Sequence, residues 1–515
     1  MSLYLWFDQL SSFPKTYSAD DFMRLLCLLA LLGSLLATPA RAQQVPYLPY
    51  YSADTVRVHE LAVAHRTAVQ KYLITPKSVS GEYKDHYKKI AQEAATDVYN
   101  TVRYSALLDP VLNPYVQQVF AHIRQANPQL PAVQLVLSRN PEPNAHAVGN
   151  STVMLNVGLL GRLENESQLA YVLCHELAHI QAAHMERGLR EQLTKIHSKE
   201  LRKEVRRIVA DEYNISSKLK ALALGLSLNS TFHHRKYEKQ ADSLGYTLLK
   251  RTRFDAPQAY RVLQLLDKID QPLAPEPLAL GQYFGCGPFP YPLPEAPVKS
   301  KSIFTVAAPT KTVLETTDTL KTHPDCAKRM RYLRELAQGQ VAETPAAPSP
   351  EFARIVALSR LEAVQSWFDY DCYDHALFEA LQLLRQEPQN AYLRSVVTLS
   401  LFELREHLLK HDFYEVVGNV SKHHPENFNQ LLTTLYAWKA DDYKGLLACF
   451  AQNSTPAPAA PADEYALAAT YAAAAVAGGP GAATLQQQYL AHYHDGKFAK
   501  LLFPKPVSSG KKSVR

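Results

Sequence analysis

The chain has little excess charge for its size: 55 Lys and Arg against 49 Asp and Glu over 515 residues leave a formal net charge of +6. Dispersed as it is, that excess forms no basic face for a phosphate backbone. No aromatic-basic motif of an RNA or DNA module occurs either, so nucleic acid is excluded as a partner. Beyond the N-terminal region, no run reaches the roughly eighteen apolar residues that a membrane-crossing helix requires. Ala221–Leu228 is too short, and the Ala-rich stretch 465–479 is interrupted by Gly478 and Gly479. Cysteine is sparse. Of six, Cys27 lies in the N-terminal region, and the odd remainder leaves at least one thiol unpaired in a monomer. What is present is ordinary globular material, 47% hydrophobic and 20% charged. The length allows roughly two to four domains with a real core.

The N-terminus reads as a targeting segment that starts at Met23 rather than Met1. Arg24, a short leucine-rich run and Ala40-Arg41-Ala42 have the order of a secretory signal and its small-residue cleavage site. Residues 23–42 are the expected signal peptide, and 1–22 an extension from a misassigned start. The mature chain is expected outside the cytoplasm, periplasmic or secreted from a bacterium, with peripheral membrane contact left open.

The chemistry centres on Ala170-Tyr-Val-Leu-Cys-His-Glu-Leu-Ala-His-Ile180, which holds His175, Glu176 and His179 as HExxH. At about 3.6 residues per turn, positions four apart share a helix face, so both imidazoles can grip one metal ion. Glu176, next to the first ligand, can then act as a base on a water molecule. Leu169, Val172, Leu173, Leu177 and Ile180 recur at helical spacing, and Asn165 with Gln168 forms an N-terminal capping pair. Ala182 and Met185 stand where a three-histidine zincin needs glycine and histidine, so His184 is not the third ligand of that class. Glu238 and Asp242 are four apart on a later helical pattern. One can bind the metal while the other accepts a ligand histidine's second N–H.

The three segments His175-Glu-Leu-Ala-His179, Glu238-Lys-Gln-Ala-Asp242 and His323-Pro-Asp-Cys-Ala-Lys-Arg329 occur in this order. Together they resemble the gluzincins of the HtpX and CAAX-prenyl-protease family, the forty-eighth family of metallopeptidases, over roughly 85–340. The exported, soluble BepA-like subgroup is the nearest in kind. The resemblance implies one Zn2+ per chain on His175, His179 and Glu238, with Glu176 as general base. It gives Asp242 to a ligand histidine, and His323 and Arg329 to the oxyanion or the substrate backbone. A strand over Val153, Leu155 and Val157 would pair with an extended peptide. One departure is His234 before Arg235, where the family often has serine.

The fold class expected is α+β and mainly helical. It comprises a zincin-type catalytic domain with a small sheet beside the HExxH helix, then an all-α repeat-like domain. A lead-in covers 43–84, the metallopeptidase domain 85–340, a linker 341–352 and the helical domain 353–515. Pro-rich 270–320 reads as an insert, either a surface loop or a lid. In an oxidising compartment a Cys286–Cys326 bridge would tie it to the active site. The charged stretch 186–206 reads as a solvated amphipathic arm. Tyr373–Asn390 resembles the second helix of a tetratricopeptide repeat, a module whose grooves bind peptides or partner proteins. The function expected is zinc-dependent endopeptidase action on misfolded or envelope proteins. The alternative is a chaperone or assembly factor that acts through the helical repeats.

Overall fold

The computed structural model describes residues 47–51, 55–73, 81–149, 151–210, 236–269, 278–287, 291, 326–421, 424–453 and 463–503. The expected signal peptide, the leading extension, His323, His234 and most of the Pro-rich insert lie outside them. Pro46–Arg515 forms one compact unit.

Two antiparallel helices come first, α1 (Thr55–Tyr72) and α2 (Gly81–Ser105). Tyr83, Tyr87, Ala91, Ala95, Val98 and Val102 recur at helical spacing and are buried together against Ala62 and Val69. Helix α3 (Leu112–Ala126) buries Tyr115, Val119, Phe120 and Ile123, the stripe visible in its sequence. A three-stranded sheet follows: β1 (Gln134–Ser138), β2 (Ala145–Val148) and β3 (Thr152–Asn156) in spatial order β1-β3-β2. The stretch Asn144–Leu160 is thus a hairpin and a short helix, α4 (Val157–Leu160).

That order changes one expectation. β3 is fully buried, parallel to β1 on one side and antiparallel to β2 on the other. Val153 and Leu155 therefore lie on the central strand, whose main-chain bonds are spent within the sheet, and Val157 is already helical. The edge belongs to β2. The Asn156 N–H donates to the Asn144 carbonyl at 3.1 Å. Antiparallel alternation then turns the main-chain groups of Ala145 and Ala147 away from β3.

Helix α5 (Glu166–Gln181) runs through the middle, and every residue from Gln168 to Ala178 is buried. The Asn165 side chain accepts the Gln168 N–H at 3.1 Å, and Gln168 Oε1 accepts the Glu164 N–H at 2.9 Å, closing both ends of the cap. Ala183, with φ 52°, ends this helix in a left-handed turn. Helices α6 (His184–Ile196) and α7 (Lys199–Ala210) set off in a new direction. The charged arm is thus two helices, and α6 buries Leu193 against α2.

Residues 236–249 form α8, which crosses α5 at Gly245. A Cβ there would stand 3.0 Å from His175 Cα and 3.1 Å from its N, so only glycine lets the two backbones come this close. Helices α9 (Gln258–Ile269) and α11 (Cys326–Leu336) pack together behind α5; α10 (Leu280–Phe284) lies between them in sequence.

The C-terminal part is a stack of helices: α12 (Pro350–Asp369), α13 (Tyr373–Leu384), α14 (Ala391–Lys410), α15 (Glu426–Ala437), α16 (Asp442–Asn453), α17 (Glu464–Ala477) and α18 (Gly481–Tyr493). α12, α13 and α14 pack in succession as hairpins, and α12 also packs on α3 and α4. Pro388 follows α13, as its sequence indicates.

The described part of the insert belongs to this stack. Leu278, Leu280 and Phe284 are buried in its core beside Trp438 and Phe450. Asn453 Nδ2 donates to the carbonyls of Gln282, Tyr283 and Gly285 at 2.9–3.2 Å. The expected Cys286–Cys326 bridge is replaced by Cys286–Cys449, while Cys326 is a buried thiol on α11. The insert is pinned to α16, not to the active-site motif.

Three measurements check this packing. Reduction of the denatured chain is expected to expose two further thiols, and Cys449→Ser, but not Cys326→Ser, to abolish that increment. Gly245→Val is expected to wedge α8 from α5 and cost about 1–3 kcal/mol in urea unfolding. Glu403, buried on α14, supplies a pH test: burial pushes its carboxyl from 4.5 to about 8. The folded chain then holds a proton that the unfolded chain releases near 4.5, so this group's contribution to stability falls as pH rises from 4.5 through 8. Glu403→Gln is expected to remove that fall, gaining on the order of 3 kcal/mol over the native chain at pH 9 and far less at pH 5.

Candidate metal centre

Helical spacing on α5 puts the imidazoles of His175 and His179 side by side, with their Nε2 atoms 3.1 Å apart. α8 brings Glu238 to the same point. Its Oε2 is 3.5 Å from His175 Nε2 and its Oε1 is 3.3 Å from His179 Nε2. One ligand atom from each of the three lies within 4.8 Å of the others, the one such group of His, Cys, Asp or Glu among the described residues. Two imidazoles and a carboxylate are the donor set that suits a catalytic zinc, and they leave a coordination position open. The residues present fit the metal.

Four residues on, Asp242 is fully buried, and its Oδ1 stands 3.1 Å from His175 Nδ1. It also accepts Tyr171 O–H at 3.0 Å and a fork from Arg329, Nε to Oδ2 and Nη2 to Oδ1, both at 2.8 Å. Arg329 Nη1 lies 2.9 Å from Glu238 Oε2. Burial alone would raise the Asp242 carboxyl, but Arg329 and then His175 hold it down at about 2. Glu238 follows the same pattern, with Arg329 and the two histidines holding it well below the ordinary range. Burial would likewise lower His175, yet the Asp242 and Glu238 carboxylates push it up to about 10. The site is thus an electrostatic trap for positive charge, which a dication can satisfy in place of protons.

Arg329 lines the cavity beside the site, and its guanidinium is buried and paired with two carboxylates, whose positions it sets. Glu176 lies beside the ligands, and burial raises its carboxyl above the ordinary range against the opposing pull of His179 and His175. It also accepts a backbone N–H from Ala147. The Glu176 carboxylate thereby sits against the edge of β2.

A cavity of about 950 Å³ opens beside these groups. Ile90 from α2, Leu189 and Ile196 from α6, and Leu263 and Leu266 from α9 line it. Sequence alone marked the α6 stretch as a solvated arm, because its charged majority hides the few apolar residues that face inward. His184, set aside in the sequence as a ligand, is buried with Nδ1 2.9 Å from His179 Nδ1 and Nε2 3.0 Å from Gln240 Oε1. Its ring stacks on Tyr237, with centroids 4.6 Å apart. Nothing in the linear pattern pointed to this contact.

Comparison with known proteins agrees with the geometry. Residues 110–337 match the model of peptidase family M48. A putative β-barrel assembly-enhancing protease of Vibrio cholerae is 29% identical over 194 residues, 36% of this chain and 38% of that protein. The β-barrel assembly-enhancing protease of Escherichia coli is 28% identical over 196 residues, with the same two shares of 36% and 38%. The mitochondrial metalloendopeptidase OMA1 of Schizosaccharomyces pombe is 28% identical over 187 residues, 36% of this chain and 52% of that one. The match thus spans well under half the length of the bacterial relatives. The family match at 110–337 contains the HExxH helix, the carboxylate helix and the Arg329 helix, and over these residues the chain is similar to peptidase family M48.

Proposed function

We propose that the chain is an exported, zinc-dependent metalloendopeptidase, with one zinc on His175, His179 and Glu238 and with Glu176 as general base. The reading is carried by the convergence of those three donors within 4.8 Å beside a buried carboxylate at the mouth of an apolar cavity. When bound, zinc would supply Lewis acidity to polarise the scissile carbonyl. Asp242 holds the His175 ring, and Arg329 keeps Glu238 and Asp242 ionised and in place. The edge of β2 offers the main-chain groups of Ala145 and the carbonyl of Ala147 to an extended peptide, while the cavity takes an apolar side chain. The raised Glu176 carboxyl suits a base that takes a proton from the attacking water and returns it to the leaving amine. His323 keeps the oxyanion role that the motif implies.

Misfolded envelope proteins are the substrate class we favour, and the names of the bacterial relatives support that setting. Among the described residues no helix is long and apolar enough to cross a membrane. Periplasmic residence rests on the signal-like segment 23–42. The stacked hairpins from Pro350 onward, tetratricopeptide-like in sequence around Tyr373–Asn390, would hold substrates or a partner protein. The chaperone reading has no observation of its own to favour it.

The test uses the chain from Gln43, with zinc content and casein cleavage measured beside Glu176→Gln. One zinc in both proteins, with cleavage reduced about a hundredfold or more in the variant, is expected. One zinc with no cleavage by either would return the chaperone reading, and no metal would remove the centre of the proposal.

A further inference from the structure

His179 has two ring nitrogens, and only one can be offered to a metal. Asp242 settles the matter for His175, but among the described residues no carboxylate stands behind His179 Nδ1. What faces its Nδ1 is another imidazole, His184 Nδ1, at 2.9 Å. Two bare lone pairs would repel there, and so would two N–H groups, so one ring must donate and the other accept.

The direction can be read from the far end of the chain of contacts. Arg187 Nη2 lies 3.0 Å from Gln240 Oε1, and His184 Nε2 lies 3.0 Å from the same atom. A guanidinium only donates, so the amide atom it touches is the oxygen. His184 must then donate through Nε2–H. The Nε2 of His179 is the atom that converges with His175 Nε2 and Glu238, so a metal-binding His179 carries its proton on Nδ1, and His184 Nδ1 must accept it. The His184 lone pair thus accepts the Nδ1–H of His179, and His179 Nε2 is the atom offered to the metal beside His175 Nε2 and Glu238.

We propose that His184 is a positioning residue that, oriented by Gln240 and Arg187, locks His179 in its metal-binding tautomer. The inference rests on the zinc reading of the site. The fold supplies the contact in an unusual way. In an uninterrupted helix, a residue five positions on lies about 140° round the axis and cannot touch the first. The left-handed turn at Ala183 (φ 52°), a conformation that disfavours any residue but glycine, breaks α5 and folds His184 back against His179. Tyr237, stacked on the ring, keeps it there.

The test reads the tautomer directly and the metal separately. In the metal-free, 15N-histidine-labelled chain, long-range 1H–15N spectra are expected to show His179 protonated at Nδ1. In His184→Leu that proton is expected to redistribute to Nε2. Zinc affinity by chelator competition is expected to fall about tenfold or more in His184→Leu. His184→Asn, whose Oδ1 can accept at the Nδ1 position, is expected to recover most of it. Gln240 is exposed, so Gln240→Ala tests the relay without disturbing the core. It is expected to weaken zinc several-fold and carries the test if His184→Leu does not fold. His179 without a proton at Nδ1 in the native chain, or native zinc affinity in both His184→Leu and Gln240→Ala, would overturn the inference. Failure of the native chain to bind zinc would overturn the metal reading instead, while the metal-free spectra still decide the tautomer.

Discussion

Two carboxylates on one helix, Glu238 and Asp242, are held where neither would stay ionised alone. Asp242 is fully buried, and a lone carboxylate in such a place takes up a proton rather than bear the loss of hydration. Arg329 prevents this by pairing with both. Glu238 can then present both oxygens to the two imidazoles, and Asp242 can anchor His175. Breaking such a buried network by removing one partner typically costs several kcal/mol, because the charge left behind has no compensation. The arrangement also needs α8 to lie on the backbone of α5, which Gly245 alone permits.

The remaining architecture holds that crossing still and leaves one side open. α2, α6 and α9 give the cavity apolar walls, and the edge of β2 runs beside Glu176. On the opposite side, Arg139 joins the catalytic half to the helical stack. It lies 2.7 Å from Glu362 on α12, and its guanidinium covers the Tyr51 ring at 4.8 Å. Tyr47 O–H donates to the same Glu362 at 2.6 Å. The lead-in segment is therefore part of the seam between the two halves. The insert acts further along the stack, where Cys286–Cys449 closes a loop of sequence separation 163 and Asn453 donates to the carbonyls of Gln282, Tyr283 and Gly285.

The metal chemistry was legible because it is local. A helix face is set by spacing, so His175, Glu176 and His179 announce their relation within one turn, as Glu238 and Asp242 do within another. The Asn165–Gln168 cap and the buried stripes of α3 and α5 were legible for the same reason: capping and periodicity depend on neighbours in sequence. The helical character of the C-terminal part follows from its apolar spacing and its punctuation by proline.

Other features depended on which segments meet in space, and spacing carries no information about that. Strand order put Val153 and Leu155 in the centre of the sheet and Ala145 and Ala147 at its edge, because β1 claims the far side of β3. Cys286 found Cys449 instead of Cys326 because Phe284 buries itself among the C-terminal helices and carries its neighbour there. Arg329 became a partner of carboxylates because α11 delivers it to a buried place where only paired charge is stable. His184 met His179 through a left-handed alanine that no pattern of side chains announces. By itself the sequence determined which histidines and carboxylates share a helix face and the helices that carry them; tertiary packing decided what stands behind each of them, since burial and opposing charge arise only when distant segments touch.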